Sequence, residues 1–468
     1  MEGASRPPAE NFRCDSGGRC YVPPVVFRQF VDSDLGCASY LVGSEGVAAV
    51  VDPALAIEQY LEEAERQGVR IVACLETHTH ADHVSGHGRL ALEHDVRVHA
   101  HPAGAPEYPF EPLEDGAVLE LGTVAVTVLH TPGHRPEHCA FAVADRSRSE
   151  EPWLVLTGDS LFVGDVARPD LAVEPEEGAR DLYRSMQRLL DLGDGVEVYP
   201  GHVAGSLCGA AMSSKGSSTI GFERRFSSIL ALASEDEFVD ASTSSAGAKP
   251  PNVAHVVALN RGPFVAQPPP LEPVGASDAD VVLDVRSAEA FATGHVRGAL
   301  NVPLDARSFG TKAGYVLAPE ERIALHADTP EQAQRAAHRL HAVGLLQVAG
   351  YLVDPPATER MHPVDLDELE RLLRDGAADV IDVRDPHERD AGYIPGTRHV
   401  PYRLLRALAG DGNGHGAVVT ICETGARAAI AASVLAAAGV DARPVLHGGV
   451  AAWRERGHAT IGFRRCGA

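Results

Sequence analysis

Lysine is almost missing from this chain of 468 residues. It occurs at positions 215, 249 and 312 only, so nearly all positive charge is arginine, which reads as a bias of genome composition rather than as chemistry. Long apolar runs are missing as well. None approaches the roughly twenty residues that a membrane-crossing helix needs. The segment Met1–Tyr21 is polar, with proline and glycine, and lacks the apolar stretch of a secretory leader. Close cysteine pairs are also absent. The eight cysteines stand apart at 14, 20, 37, 74, 139, 208, 422 and 466, which suits reduced thiols in a cytoplasm better than a disulfide framework. Acid prevails over base, 65 residues against 41, for a net charge of −24. Such a surface repels nucleic acid and anionic membranes, so neither is expected as a partner, and any anion site must be locally basic.

The length allows about three domains. An N-terminal extension (1–24) precedes a first domain (25–265), a proline-rich linker (266–275, with Pro268-Pro269-Pro270 and Pro273) and two smaller domains (276–360 and 361–464). The first domain opens on strand-like alternation at Val25–Val31, Ala38–Val42 and Val47–Val51, ending at Asp52-Pro53. A helix over Ile57–Gln67 is stopped by Gly68. Ser242–Gly247 reads as a flexible loop. The two smaller domains are copies of one α/β unit. Val281-Val-Leu-Asp-Val-Arg286 matches Val380-Ile-Asp-Val-Arg384, and Gly294, Gly298 and Pro303 follow Asp284 at the same offsets as Gly392, Gly396 and Pro401 follow Asp382.

The densest chemistry is Thr77-His-Thr-His-Ala-Asp-His83, directly after the apolar run Val69–Leu75. Three imidazoles and a carboxylate in a strand-end loop hold their donor atoms close enough to bind metal. Further candidate ligands also end strand-like runs: His134 in Leu129-His-Thr-Pro-Gly-His134, Asp159 in Leu154-Val-Leu-Thr-Gly-Asp159, and His202 in Tyr199-Pro-Gly-His202. Loops at strand ends are where α/β sheets gather catalytic groups. By spacing alone, the seven residues suit a dinuclear hydrolase site.

With these motifs the chain resembles the metallo-β-lactamase superfamily, which implies an α/β fold, a four-layer αββα sandwich. Within it, Gly158-Asp-Ser-Leu-Phe-Val-Gly-Asp-Val-Ala-Arg-Pro-Asp170, Pro200-Gly-His-Val-Ala-Gly-Ser-Leu-Cys-Gly209 and Ser217-Ser-Thr-Ile-Gly221 are similar to persulfide dioxygenases. That resemblance implies one Fe(II), non-haem, on His78, His134 and Asp159, and a substrate set of O2 and a low-molecular-weight thiol persulfide such as glutathione persulfide. His80, Asp82, His83 and His202 then orient the ligands or keep a second metal site. Arg168 stands as a candidate for contact with the substrate or an acidic partner, with a salt bridge as the alternative, and Cys208 as a candidate for sulfur relay. Zinc, with a glyoxalase II-like thioester hydrolase activity, is the alternative.

The second small domain carries strand Val418–Ile421, then Cys422-Glu-Thr-Gly-Ala-Arg427, then an Ala-rich helix to Ala438. A cysteine just before a helix N-terminus meets inward N–H groups and the positive end of the helix dipole, which hold negative charge there. Gly425 lets the loop curl, and Arg427 adds positive charge for sulfite or thiosulfate. With Asp382-Val-Arg384 and the closing Gly448-Gly-Val-Ala-Ala-Trp453, this domain resembles a rhodanese. The resemblance implies that Cys422 carries sulfane sulfur as a persulfide, within a loop of Glu423, Thr424, Gly425 and Ala426. Glu423 stands where that family usually has a basic residue, which leaves the acceptor open. The first copy has no cysteine over 276–360; its counterpart, Arg322–Glu331, has no nucleophile. It is expected to be an inactive rhodanese-like spacer that positions the other two sites or builds the interface of a homo-oligomer, a dimer or tetramer. A bifunctional sulfur-oxidising and sulfur-transferring enzyme is the leading expectation, against the hydrolase and a non-enzymatic sulfur carrier.

Overall fold

The computed structural model describes residues 13–14, 20–21, 25–203, 212–232, 234–244, 248–408 and 417–463. They fall into two compact units, one ending at Gln267 and the other starting at Pro268. Among the described residues, no helix is long and apolar enough to cross a membrane.

The first unit stacks two six-stranded sheets. One runs Val26–Val31, Ala38–Ser44, Val47–Val51, Arg70–Leu75, Arg97–Ala100 and Glu111–Pro112 in spatial order. The other runs Ser218–Thr219, Glu197–Pro200, Leu154–Gly158, Cys139–Asp145, Val124–His130 and Val118–Leu121. Strands Ala38–Ser44 and Cys139–Asp145 are buried at every position, because both of their faces are covered. Alternate side chains sort into different cores. Tyr40, Val42, Phe141 and Val143 fill the space between the sheets. Leu41, in turn, packs under Ile57, Tyr60, Ala64 and Leu90 on the helical side of the first sheet. Ala140 and Ala142 pack under Leu182, Met186, Leu189 and Phe238 of helices Pro175–Leu190 and Glu235–Ser244. The result is the four-layer αββα sandwich. Ser242–Ser244, expected in a loop, complete the last turn of helix Glu235–Ser244, where the Ser242 and Thr243 hydroxyls donate to Phe238 O and Val239 O. Residues 245–247 of that expectation lie outside the described residues.

The second unit holds two four-stranded parallel sheets of identical order. In one, Leu300–Asn301, Val281–Asp284, Ile323–His326 and Val348–Tyr351 lie side by side; in the other, Arg398–His399, Asp379–Asp382, Val418–Ile421 and Ala442–Pro444. Asp284 pairs with His326 as Asp382 pairs with Ile421. Arg286 clasps Asp284 and the carbonyl of Gly294, and Arg384 clasps Asp382 and the carbonyl of Gly392. Helix Ala426–Ala437 is buried continuously from Ala428 to Leu435. Its alanines admit its own sheet on one side and strand Leu300–Asn301 of the first copy on the other, where Asn301 N–H donates to Ser433 Oγ at 2.9 Å. Part of the expected linker belongs to this unit: Tyr351 N–H donates to Glu272 O at 3.0 Å and Val274 N–H to Tyr351 O at 2.9 Å. Gly350 permits that approach, since a Cβ there would lie 2.2 Å from Glu272 O.

Phe141 is fully buried between the two sheets. Phe141→Ala is expected to destabilise the first unit by about 3–5 kcal/mol, seen as an earlier urea transition of that unit while the second unit's transition stays in place.

Candidate metal centre and cysteine loop

His78 follows strand Arg70–Leu75, His134 follows Val124–His130, Asp159 follows Leu154–Gly158 and His202 follows Glu197–Pro200, so both sheets contribute. His78, His134 and Asp159 are buried, and each offers a ligand atom within 4.8 Å of the others. Their remaining atoms are committed elsewhere. The Thr77 hydroxyl donates to Asp52 Oδ2 at 2.8 Å and accepts from His78 Nδ1 at 2.9 Å, which leaves His78 Nε2 as a lone pair. His134 Nδ1 donates to Arg168 O at 3.0 Å, which leaves its Nε2 3.7 Å from Asp159 Oδ2. Asp159 Oδ1 takes a hydrogen bond from His202 Nδ1 at 2.8 Å. Asp159 Oδ2 is buried and has no hydrogen-bond partner, an acceptor that a cation would satisfy.

Burial, reinforced by the neighbouring imidazoles, holds His78 well below the usual histidine range, and burial lowers His134 against the pull of Asp159. Asp159 is desolvated, yet His202 keeps it below the usual carboxylate range. Two neutral imidazoles and one carboxylate are ligands in their binding forms. This donor set suits non-haem Fe(II) and also accepts zinc.

The rest of the motif enters two further groups whose ligand-type atoms also lie within 4.8 Å of one another, Asp52–Glu76–His80 and Cys37–Asp82–His83. His80 Nε2 lies 3.2 Å from Asp52 Oδ1 and 3.4 Å from Glu76 Oε2, and despite burial these carboxylates raise it to about 9. Asp82, His83 and His202 gather around Cys37. Its Sγ is 3.4 Å from Asp82 Oδ2, 3.6 Å from His83 Nδ1 and 3.3 Å from His202 Nε2, and His202 Nε2 lies 2.7 Å from Asp82 Oδ2. His202 thus spans from Asp159 to Asp82. Arg168, expected at the substrate, is buried, with bonds to Asp170 at 2.7 and 2.9 Å and to Ala248 O at 2.9 Å; its carbonyl is the group that meets the site. Cys208 lies outside the described residues.

Several participants carry no motif. His138, held neutral by burial and His134 with its pKa at about 3, accepts the Asp159 N–H at 3.0 Å and bonds Thr131 through Nδ1. Gly158 has φ +48°, and a Cβ on it would lie 2.7 Å from His138 Nε2. Asn260, in helix Val253–Arg261, donates to the carbonyls of His80 and His83 at 2.9 and 2.8 Å. Asp52, at the end of its strand with φ +50°, offered a sequence signal in Asp52-Pro53; Asn260, Cys37 and Glu76 offered none.

In the second unit, Cys422 is 1% exposed at the end of strand Val418–Ile421. Gly425 N–H donates to its Sγ at 3.1 Å, with Gly425 at φ +115°. A Cβ on Gly425 would lie 1.8 Å from Leu446 O. The closing Gly448-Gly449 turn braces the loop: Val450 N–H bonds Cys422 O at 2.9 Å and Ala451 N–H bonds Glu423 O at 3.1 Å. Thr424 and Ala426 are exposed. Arg427 departs from expectation. Instead of waiting for an anion it grips Glu388 at 2.6 Å, with Asp385 at 3.5 Å, and these carboxylates raise its pKa against the effect of burial. Glu423 lies between Arg384 Nη1 at 2.7 Å and Arg454 Nη1 at 2.8 Å. In the first copy, Ala327–Thr329 is one residue shorter than Cys422–Gly425 and carries no thiol, and His326 occupies Asp284 at 3.0 Å.

Residues 32–202 match the metallo-beta-lactamase superfamily, and residues 272–353 and 365–456 each match the rhodanese-like domain. A crystal structure titled metallo-beta-lactamase from Staphylococcus aureus superposes with TM-score 0.64 and 30% identity, covering 70% of this chain and 98% of that one. An uncharacterised protein of Mycobacterium leprae is 34% identical over 34% of this chain and 75% of its own length. A hydroxyacylglutathione hydrolase of Francisella tularensis is 28% identical over 38% of this chain and 67% of its own length.

Thr77→Val breaks the Asp52–Thr77–His78 relay without touching a ligand atom. It is expected to weaken Fe(II) or zinc binding about 10- to 100-fold in competition with a chromophoric chelator. Gly425→Ala is expected to abolish alkylation of Cys422 in its native register and to lower the melting temperature of the second unit.

Proposed function

Because the chain belongs to the metallo-β-lactamase superfamily and continues into two rhodanese-like domains, we propose that it oxidises a low-molecular-weight thiol persulfide with O2 and transfers sulfane sulfur at Cys422. One observation carries this reading. His78, His134 and Asp159 converge, while His80 turns to Asp52 and Glu76. This convergence supports a two-histidine, one-carboxylate set with open positions; Asp52, Glu76 and His80, and Cys37, Asp82 and His83, form two further groups of ligand-type atoms beside it.

Fe(II), when bound by this set, supplies O2 activation and a position for the substrate sulfur. The protein's part is positioning. Thr77 and Arg168 O fix the imidazole planes, and His138 and His202 fix the two ends of Asp159. The near-complete burial of all three side chains keeps bulk water from them. Overall, one persulfide, one O2 and one water give one thiol, one sulfite and two protons. At Cys422, the sulfur takes the outer sulfur of a donor and passes it on, which links persulfide, sulfite and thiosulfate. The presence of both sites in one chain supports a shared substrate class.

Thioester hydrolysis is a second reading, favoured by the cluster of Asp82, His83 and His202 and by the likeness to a hydroxyacylglutathione hydrolase. Oxygen electrode traces separate the two. The iron-loaded protein is expected to consume O2 with glutathione persulfide; His78→Ala loses this, and Cys422→Ser keeps it while losing sulfur transfer. An iron-loaded protein that consumes no O2, and a zinc-loaded one that turns over a glutathione thioester, would establish the second reading instead.

A further inference from the structure

Among the described residues, the arginines near Cys422 are each engaged by a carboxylate. Arg384, fully buried, gives Nε and Nη2 to Asp382, Nη2 also to Gly392 O, and Nη1 to Glu423 Oε2. Arg454 holds Glu423 Oε1. Arg427 holds Glu388 and faces Asp385, and Arg403 holds Asp385 at 3.2 Å. Four arginines thus meet four carboxylates, and the charges of these eight side chains cancel. Glu423 is the nearest in sequence to the reacting sulfur and is 30% exposed at its side chain, beside a cysteine whose own sulfur is bonded by Gly425 N–H.

From this we infer that Glu423 selects the sulfur substrates of Cys422: it disfavours small dianions, thiosulfate and sulfite, and leaves thiol persulfides and thiols as donor and acceptor. A dianion gains from an arginine cradle only when a guanidinium is free to receive it. Here it would have to displace Glu423 or Glu388 from its partner while approaching the displaced carboxylate. A persulfide R–S–SH presents an uncharged outer sulfur or a single charge, and it reaches Cys422 with no such exchange. Deprotonated Cys422 attacks the outer sulfur. The Cys422–sulfur bond forms as the R–S to sulfur bond breaks, and R–S⁻ leaves with the electron pair. A second thiolate attacking the outer sulfur of the loaded cysteine reverses the step, so no oxidant or reductant is consumed. The inference rests on the sulfur-transfer reading of Cys422 and narrows it to exchange between thiols.

The test uses the full chain, with thiosulfate and 2-mercaptoethanol persulfide as donors and intact-protein mass spectrometry of Cys422 as the readout. Wild type is expected to load from the uncharged persulfide with a KM at least about tenfold below that for thiosulfate, and E423Q to shrink that ratio by roughly tenfold. An unchanged ratio in E423Q overturns the selection by Glu423. Should E423Q not fold, wild type alone still decides: a thiosulfate KM equal to or below that for the persulfide overturns the inference. Loading from neither donor would overturn the sulfur-transfer reading itself, a result distinct from equal loading by both.

Discussion

Asp159 is a carboxylate about 1% exposed, with one oxygen bonded to His202 and the other bonded to nothing. A buried, unpaired carboxylate oxygen costs several kcal/mol, so the surrounding architecture exists to keep it charged and fixed. His138 holds its backbone N–H, Gly158 gives that backbone the room it needs, and His202 ties it through Asp82 to Cys37 and His83. His78 and His134 stand against the free oxygen with their ring lone pairs released by Thr77 and Arg168 O. The centre thus leaves Asp159 Oδ2 as a buried acceptor without a hydrogen-bond partner, as it leaves the ring nitrogens of His80, and a metal ion held by His78, His134 and Asp159 would satisfy the carboxylate oxygen.

The same rule shapes the cysteine loop with the opposite outcome. Around Cys422, Arg384, Arg427 and Arg454 are matched by Asp382, Glu388 and Glu423. The first group leaves an acceptor for a cation, and the second pairs its arginines with carboxylates. A glycine at positive φ serves each: Gly158 at +48°, the last residue of its strand before Asp159, and Gly425 at +115°, three residues after Cys422 at the start of the helix.

Much of this was legible in the sequence because it is local. The His78–His83 run, the Pro-Gly turns before His134 and His202, the repeated Asp-Val-Arg and the Cys422–Arg427 loop all announce strand ends followed by chemistry, and the sandwich and the duplicated α/β unit follow from them. Partnerships across long sequence distance were not legible. Nothing near Asn260 says that it will hold the carbonyls of His80 and His83, and nothing near Cys37 places it against His202. The partners of Arg427 and Arg168 were not legible for the same reason. An arginine's charge is visible in sequence, but whether Glu388 or Asp170 has already claimed it depends on the fold.

The central proposal is that the seven-residue motif divides, with one metal on His78, His134 and Asp159, while His80 faces Asp52 and Glu76, and Asp82, His83 and His202 gather at Cys37. Elemental analysis of protein loaded anaerobically with excess Fe(II) and desalted tests it most directly. The account predicts one iron per chain, lost on Asp159→Ala and retained on His80→Gln. Two metal ions per chain, with one lost on His80→Gln, would contradict it.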